Sequence, residues 1–335
     1  MSTIKQGRLS VCLLGYNHGL FIEDNIKALW QCKWPDMEII AVDDGSKDNS
    51  GRILRELADK SPVPMRLILQ ENTGNIAKNL NTAEKFASGE FLLFMALDDR
   101  PNPAGLEQAL ALLRQQPDTA FVLAERMPTI NAIGEKNGEF ACNLPPAGQA
   151  TAQAMLEREY EYLHTFFIQN AVFRKTAVDE VGGFDEDMTG DDIILRTKLF
   201  RLLKTRPELH FATVSEPIAF YRLHGENLHY NGLRQVKTAT EYLNRYWPER
   251  PNPPALIHWA QDLLKNEPYA KVCEMFALNA RAASLMADKA VQKSLVRKIR
   301  QEHSLWRFIY KKERHYTQRT VTLFSFLRFT YHYKR

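Results

Sequence analysis

The chain has 335 residues, 44% of them hydrophobic and 25% charged, with a net charge of +4. That is ordinary for a soluble globular protein, and the length suits one large domain plus an extension. The sequence holds no uninterrupted apolar run of about 18 residues that would cross a membrane, and MSTIKQGRLS lacks a signal peptide's apolar core. Cys12, Cys32, Cys142 and Cys273 show no metal-ligand spacing, so the expectation is a cytoplasmic protein with reduced thiols. The charge is uneven: residues 289–335 carry 13 Lys and Arg against 2 Glu, which leaves about −7 for the body.

Leu9–Leu14 is apolar without alternation, as in a strand buried on both faces, and Gly15-Tyr16-Asn17-His18-Gly19 ends it. Phe21–Trp30 has helical spacing. Glu38–Val42 is a second strand, closed by Asp43-Asp44-Gly45-Ser46, and Asp48 or Asn49 can cap the helix that follows to about Ala58. Met65–Leu69, the turn Asn72–Asn75 and a helix from Ile76 to Ala87 repeat the unit. The fourth strand, in GEFLLFMALDDR, ends in adjacent carboxylates, Asp98 and Asp99. Alternating strands and helices imply a parallel sheet with right-handed crossovers. Three strands then end at one edge in polar or acidic groups, where open α/β sheets bind ligands. The plainer reading of Asp98-Asp99 is an N-cap for the helix near Pro103.

Further on, Pro103–Leu113 is predicted helical and Thr119–Ala124 a strand. Pro128–Gly148 loses periodicity and is predicted as loops or a short hairpin. A helix at Ala150–Tyr162, a short strand at Gln169–Phe173 and a turn at Val181–Asp185 follow. Gly190-Asp191-Asp192 heads an amphipathic helix to about Leu203, before extended stretches at Leu209–Val214 and Ile218–His224. Prolines 248, 251, 253 and 254 suggest a linker, beyond which Ala255–Lys265 and Pro268–Arg300 are predicted helical.

The stretches LSVCLLGYN, EIIAVDDGSKDNS, NTGNIAKN, GEFLLFMALDD, VGGFDE, GDDIILRTKL and EPIAFYRLHGEN occur in this order over Leu9–Asn227. Together they resemble the GT-A glycosyltransferases of family 2. The resemblance implies an α/β fold, with a Rossmann-like, mostly parallel central sheet flanked by helices. With the proline cluster as linker, a domain of this kind is expected at 1–250 and a helical, basic C-terminal extension at 251–335. The implied reaction is metal-dependent, inverting transfer from a UDP-sugar or dTDP-sugar to a hydroxyl of a glycan or lipid-linked acceptor, in bacterial surface polysaccharide assembly.

By the same resemblance, Leu14, Tyr16, Asn17, Asp43, Asp44, Lys78 and Asp98 bind the nucleotide-sugar, with Tyr16 stacking on the base, Asp44 on the uracil, Asp98 near the ribose and Lys78 near the phosphates. A carboxylate at Asp44 can accept the N3–H of uracil or thymine. No Walker-type loop is present to neutralise a diphosphate, so Mn²⁺ or Mg²⁺ on hard oxygen ligands is the economical alternative. The resemblance assigns that cation to Asp99, with His224 as a second ligand; a plain hydrogen-bonding histidine is the alternative. Many relatives read Asp-x-Asp-Asp where this chain has Ala96-Leu97-Asp98-Asp99, so the first acid is missing. Asp192 aligns with the family's catalytic base and Asp191 with the Glu before it, while a shift of one residue puts the base at Asp191; helix capping by Asp191 is the competing reading. Within enzymes the alternative is a nucleotidyltransferase, and outside them a family member that binds nucleotide-sugar without turnover.

The segment from His303 interleaves aromatic and basic residues, including Leu305, Trp306, Phe308 and Ile309. Such a tail covers the catalytic domain, pairs with a second copy in a homo-oligomer, or lies as an interfacial helix on anionic lipid at the inner face of the cytoplasmic membrane. Nothing resembling a nucleic-acid module accompanies it.

Overall fold

In a computed structural model, the structure describes residues 4–145, 149–225, 227–302, 310–315, 318–323 and 327–332. The described chain divides into two compact units, one within 1–159 and 164–225, the other within 160–163 and 226–335. The boundary expected at 250/251 falls inside the second unit.

The first unit opens with β1 (Lys5–Gly15), α1 (Ile22–Leu29), β2 (Met37–Asp43), α2 (Ser50–Asp59), β3 (Met65–Leu69), α3 (Ile76–Phe86) and β4 (Gly89–Ala96). It continues through β5 (Arg100–Pro101), α4 (Pro103–Gln115), β6 (Thr119–Ala124), β7 (Arg126–Ile130), β8 (Lys136–Ala141) and α5 (Ala152–Tyr162), whose last turn belongs to the second unit. A 3₁₀ turn at Ile168–Asn170, β9 (Ala171–Arg174), α6 (Lys175–Glu180), α7 (Asp192–Thr205), β10 (His210–Val214) and β11 (Ala219–Arg222) complete it.

Seven strands form one sheet in the order β10-β6-β9-β4-β1-β2-β3, parallel except for β9. Leu9, Val11 and Leu13 of β1 and Phe91, Leu93 and Met95 of β4 pack with Ile22, Ile26 and Leu29 of α1 and Leu106, Leu110 and Leu113 of α4. Phe94, Phe121, Phe173, Phe184 and Phe200 make a second aromatic cluster. The register pairs Gly15 with Asp43 and Leu14 with Ala96, so the residues after these strands emerge at one edge.

A smaller sheet, β5-β11-β7-β8, answers the segment predicted as loops or a short hairpin: β7 and β8 are that hairpin. The predicted strand at Gln169–Phe173 begins two residues later, because Ile168–Asn170 turns first.

The second unit holds α8 (Gly232–Tyr246), α9 (Pro254–Asn266), α10 (Tyr269–Ala277), α11 (Ala280–Ser284) and α12 (Lys289–Glu302). The helix predicted from Pro268 to Arg300 is broken where the Asn279 side chain accepts from Ala282 N–H and Asp288 accepts from Ala290 and Val291 N–H, new caps that start new helices. The predicted helical tail needs correction. Its described residues form an antiparallel sheet of β12 (Tyr310–His315), β13 (Gln318–Leu323) and β14 (Leu327–His332). The sequence LRFTYH alternates apolar and polar with the period of a strand, and β-branched Thr320, Val321 and Thr322 favour the same state. Leu305, Trp306, Phe308 and Ile309 lie outside the described residues.

Candidate active site

The sheet edge is built from turns that lock one another. After β1, Asn17 adopts a left-handed φ of 56°; its N–H donates to Ser46 Oγ (2.8 Å), and its side-chain oxygen accepts from Lys47 N–H (2.7 Å). Gly45 has φ +74°, and a Cβ there would lie 2.5 Å from Asn72 N, so the turn after β2 requires glycine. Tyr16 is 40% exposed, as a stacking surface must be, and Leu14 is half-buried beneath it in the sequence. Lys78, in the first turn of α3, is exposed.

The two acids after β2 differ. Both oxygens of Asp44 are engaged: Oδ1 accepts from Gln70 Nε2 (3.0 Å) and Thr73 N–H (2.8 Å), and Oδ2 from Gly74 N–H (3.2 Å). Asp43 Oδ1 accepts from Ser46 N–H (2.8 Å), while its Oδ2 is buried without a partner.

The acids after β4 differ in the same way. Asp99 Oδ1 accepts from Arg222 N–H (2.9 Å) and Oδ2 from Gln169 Nε2 (3.1 Å). Burial, and then the neighbouring Asp98 charge, push the Asp99 carboxyl well above the usual range, against the pull of those two donors. Asp98 Oδ2 lies 2.9 Å from His224 Nε2 and 3.7 Å from His18 Nε2, and its Oδ1 is buried without a partner. Burial alone would raise Asp98, but the His224 hydrogen bond and the two histidine charges outweigh it and hold this carboxyl below its usual value. His224 packs on Phe21 with ring centres 4.9 Å apart, and His18 Nδ1 is also buried and unpartnered.

Arg222, 2% exposed, braces this turn. Its Nε donates to Asp98 O (2.6 Å), its Nη1 reaches Asn131 O and Ala132 O, and its Nη2 pairs with Asp24. Asp24 in turn lines an open cleft of about 500 Å³ with Glu23, Lys27, Arg100 and Phe220, which contains none of the residues predicted for the site.

Among the described residues no three His, Cys, Asp or Glu side chains are gathered in a geometry ready for a metal. The unpartnered Oδ1 of Asp98 and the adjacent His224 ring are donors of the kinds a divalent cation takes. Each oxygen of Asp99, predicted as the cation ligand, accepts one hydrogen bond in this arrangement.

Asp191 is the N-cap of α7: its Oδ1 accepts from Asp192 N–H (2.9 Å). Asp192 opens the helix, and its Oδ2 accepts from Ile168 N–H (3.3 Å) and lies 3.6 Å from Arg196 Nη1. Burial first, then the Asp191 charge, raise the Asp192 carboxyl to about 7, despite Arg196. Its side chain stays 28% exposed, which leaves it accessible to an acceptor. The 3₁₀ turn joins the two halves of the site, since Ile168 N–H holds Asp192 while the adjacent Gln169 holds Asp99. Asn170 ties the same turn to the Arg126 carbonyl and to the Ile218 and Ala219 amides.

Sequence reasoning missed His18, Gln169, Asn170 and Arg222. The one available signal was Gln169-Asn170, a polar pair inside the otherwise apolar run from Phe166 to Phe173.

The sequence pattern of glycosyl transferase family 2 matches residues 10–182, more than half of the chain. The chain belongs to that family. It is 24% identical over 225 residues to an uncharacterized glycosyltransferase of Nostoc sp., covering 66% of each chain. Over 140 residues it is 29% identical to the Staphylococcus aureus poly(ribitol-phosphate) β-N-acetylglucosaminyltransferase TarS, 41% of this chain and 24% of that one. The match thus spans less than two thirds of these relatives' own lengths. Among solved structures, TarS 1–349 in complex with UDP-GlcNAc superposes with a TM-score of 0.54 at 16% identity, over 94% of this chain and 97% of that one. A Pyrobaculum calidifontis mannosyltransferase in complex with GDP-Man and Mn²⁺ gives 0.51 at 18%, over 87% and 84%. The fold is GT-A, a mixed α/β architecture around a mostly parallel sheet.

Proposed function

We propose that this family 2 protein transfers a sugar, with inversion, from a UDP-sugar to a hydroxyl of a glycan or lipid-linked acceptor. The observation that carries the reading is the single turn that holds the Asp98-Asp99 edge and Asp192 in one framework through Gln169 and Ile168. Asp192 takes the acceptor's hydroxyl proton, the freed oxygen bonds to the anomeric carbon, and the bond from that carbon to the diphosphate breaks, releasing UDP. A carboxyl near 7 suits this task, being ionised in part at neutral pH yet basic enough to hold a proton.

On the donor side, Tyr16 stacks on the base, and Asp43, with its open oxygen, accepts the N3–H of uracil while Asp44 holds the loop that shapes the pocket. Asp98 and His224 would hold a divalent cation, Mn²⁺ or Mg²⁺, which when bound would supply positive charge for the diphosphate. Asp99 supports the turn by accepting from Arg222 N–H and Gln169. Lys78 lies exposed for the phosphates. In support of a UDP donor, TarS is known in complex with UDP-GlcNAc; in support of the cation, the mannosyltransferase is known with Mn²⁺.

The acceptor and setting follow from kinship and charge. A matching Campylobacter jejuni relative, 25% identical over 198 residues, is named for glucosyl transfer to an undecaprenol-linked glycan. Exposed Lys289, Lys293, Arg297 and Arg300 recur at helical spacing on α12, which suits contact with an anionic membrane face. No described helix is long and apolar enough to cross a membrane.

The test is a thermal-shift panel of nucleoside diphosphates with and without Mn²⁺, followed by donor hydrolysis. The reading expects UDP to raise the melting temperature most, and more with Mn²⁺ than without. Equal shifts by all nucleotides, indifferent to metal, would contradict it.

A further inference from the structure

Behind Asp192 lies an ion pair that no part of the proposed chemistry uses. Glu159 of α5 is fully buried, and Arg196, one turn after Asp192 on α7, is 1% exposed. The guanidinium meets the carboxylate with two donors, Nε to Oε1 (2.6 Å) and Nη2 to Oε2 (3.1 Å). Thr165 Oγ1 also donates to Glu159 Oε1. Arg196 Nη1 donates to Phe166 O (2.6 Å) and lies 3.6 Å from Asp192 Oδ2.

A buried carboxylate is costly unless paired, and pairing does not oblige the pair to sit beside a site. Its location here has two consequences. By gripping the Phe166 carbonyl, Arg196 fixes the segment whose Ile168 N–H reaches Asp192, so the carboxylate is held between an amide and a guanidinium edge. By occupying two donors of the guanidinium, Glu159 draws Arg196 away from Asp192 and opposes its charge there.

We propose that Glu159 and Arg196 form a charge-balanced brace that positions Asp192 and preserves it as a proton acceptor. Both are positioning residues, and the proposal rests on the reading of Asp192 as the base. The charged groups that face Asp192 are Asp191 and Arg196 along its own helix and cap, and Glu159 from α5. His164, in the segment after α5, is pushed down to about 3 by burial and by Arg196, and so stays neutral across the working range. Removing Glu159 therefore leaves Arg196 as an unbalanced positive neighbour, while removing Arg196 leaves only negative ones.

The experiment titrates the full chain carrying ¹³C at its aspartate carboxyl carbons, with Asp192 assigned as the resonance lost in Asp192→Asn. In Glu159→Gln the Asp192 midpoint should fall by about one pH unit or more, and in Arg196→Gln it should rise by a similar amount, the usual reach of a nearby charge. Destabilisation alone does not move one carboxyl in opposite directions. Where either variant fails to fold, as its melting curve would tell, Arg196→Lys and Glu159→Asp take its place. These keep the charges while loosening the fork, so the midpoint should hold while kcat for UDP-GlcNAc hydrolysis with Mn²⁺ falls with KM little changed. Midpoints that stay at the wild-type value in both charge-removing variants overturn the brace, as do conservative variants with unchanged kcat. Full activity in Asp192→Asn overturns the base reading separately, whatever the titration shows.

Discussion

Two acidic pairs lie at the ends of β2 and β4, the strands that flank β1, and a third opens α7. At the strand ends, the first acid keeps an open oxygen and the second is fully engaged: Asp43 is open and Asp44 engaged, Asp98 open and Asp99 engaged. At the helix start the order reverses. Asp191 is occupied in capping, and Asp192 is the accessible one. The cause is local geometry. At the strand ends the second acid is tied to loop donors, whereas a helix draws its N-cap side chain onto its own amides. Adjacent carboxylates of identical type thus acquire different tasks from the element they terminate.

Breaking the helix pair should have the largest effect. Asp192→Asn should lower kcat by about 10²–10⁴ with donor binding nearly unchanged, the usual worth of a general base, as read by steady-state kinetics. Next comes the histidine beside the open acid of β4. His224→Ala should weaken Mn²⁺-dependent UDP binding by about 10–100-fold in calorimetry, because it removes a group in contact with Asp98.

Smaller effects separate the engaged acids from the open ones. Asp44→Asn should destabilise the protein by about 1–3 kcal/mol in chemical denaturation, because a carboxylate accepting from Gln70, Thr73 and Gly74 is replaced by an amide that cannot satisfy all of them. The matching change at Asp43 should weaken UDP binding while sparing stability. The smallest is a displacement in pH. Asp192 accepts a proton only when ionised, so kcat/KM should rise as pH increases through about 7. Asp191→Asn removes the neighbouring negative charge while keeping a good cap, so that rise should move to lower pH with little change in stability.

Much of this was legible in the sequence, for reasons that particular residues make plain. Strands β1, β2 and β4 are apolar runs closed by Gly or acid, and their shared edge followed from the strand–helix alternation. The acidic pairs were visible, but their division of labour was not. It depends on Arg222, which reaches Asp99 across 123 positions of sequence, and on Gln169, across 70. Such partners are set by strand order, which no local spacing encodes. In the tail, basic and aromatic composition suits an interfacial helix and overlies the two-residue period of LRFTYH that specifies a strand.

On the proposed reading Asp98, rather than Asp99, meets the cation. Isothermal titration of UDP with and without Mn²⁺ tests it on Asp98→Asn and Asp99→Asn side by side. Asp98→Asn should bind UDP weakly and alike in both conditions. Asp99→Asn, which leaves the Asp98–His224 contact in place, should keep the wild-type gain from Mn²⁺. The reverse result, with metal dependence lost in Asp99→Asn and kept in Asp98→Asn, would contradict the account.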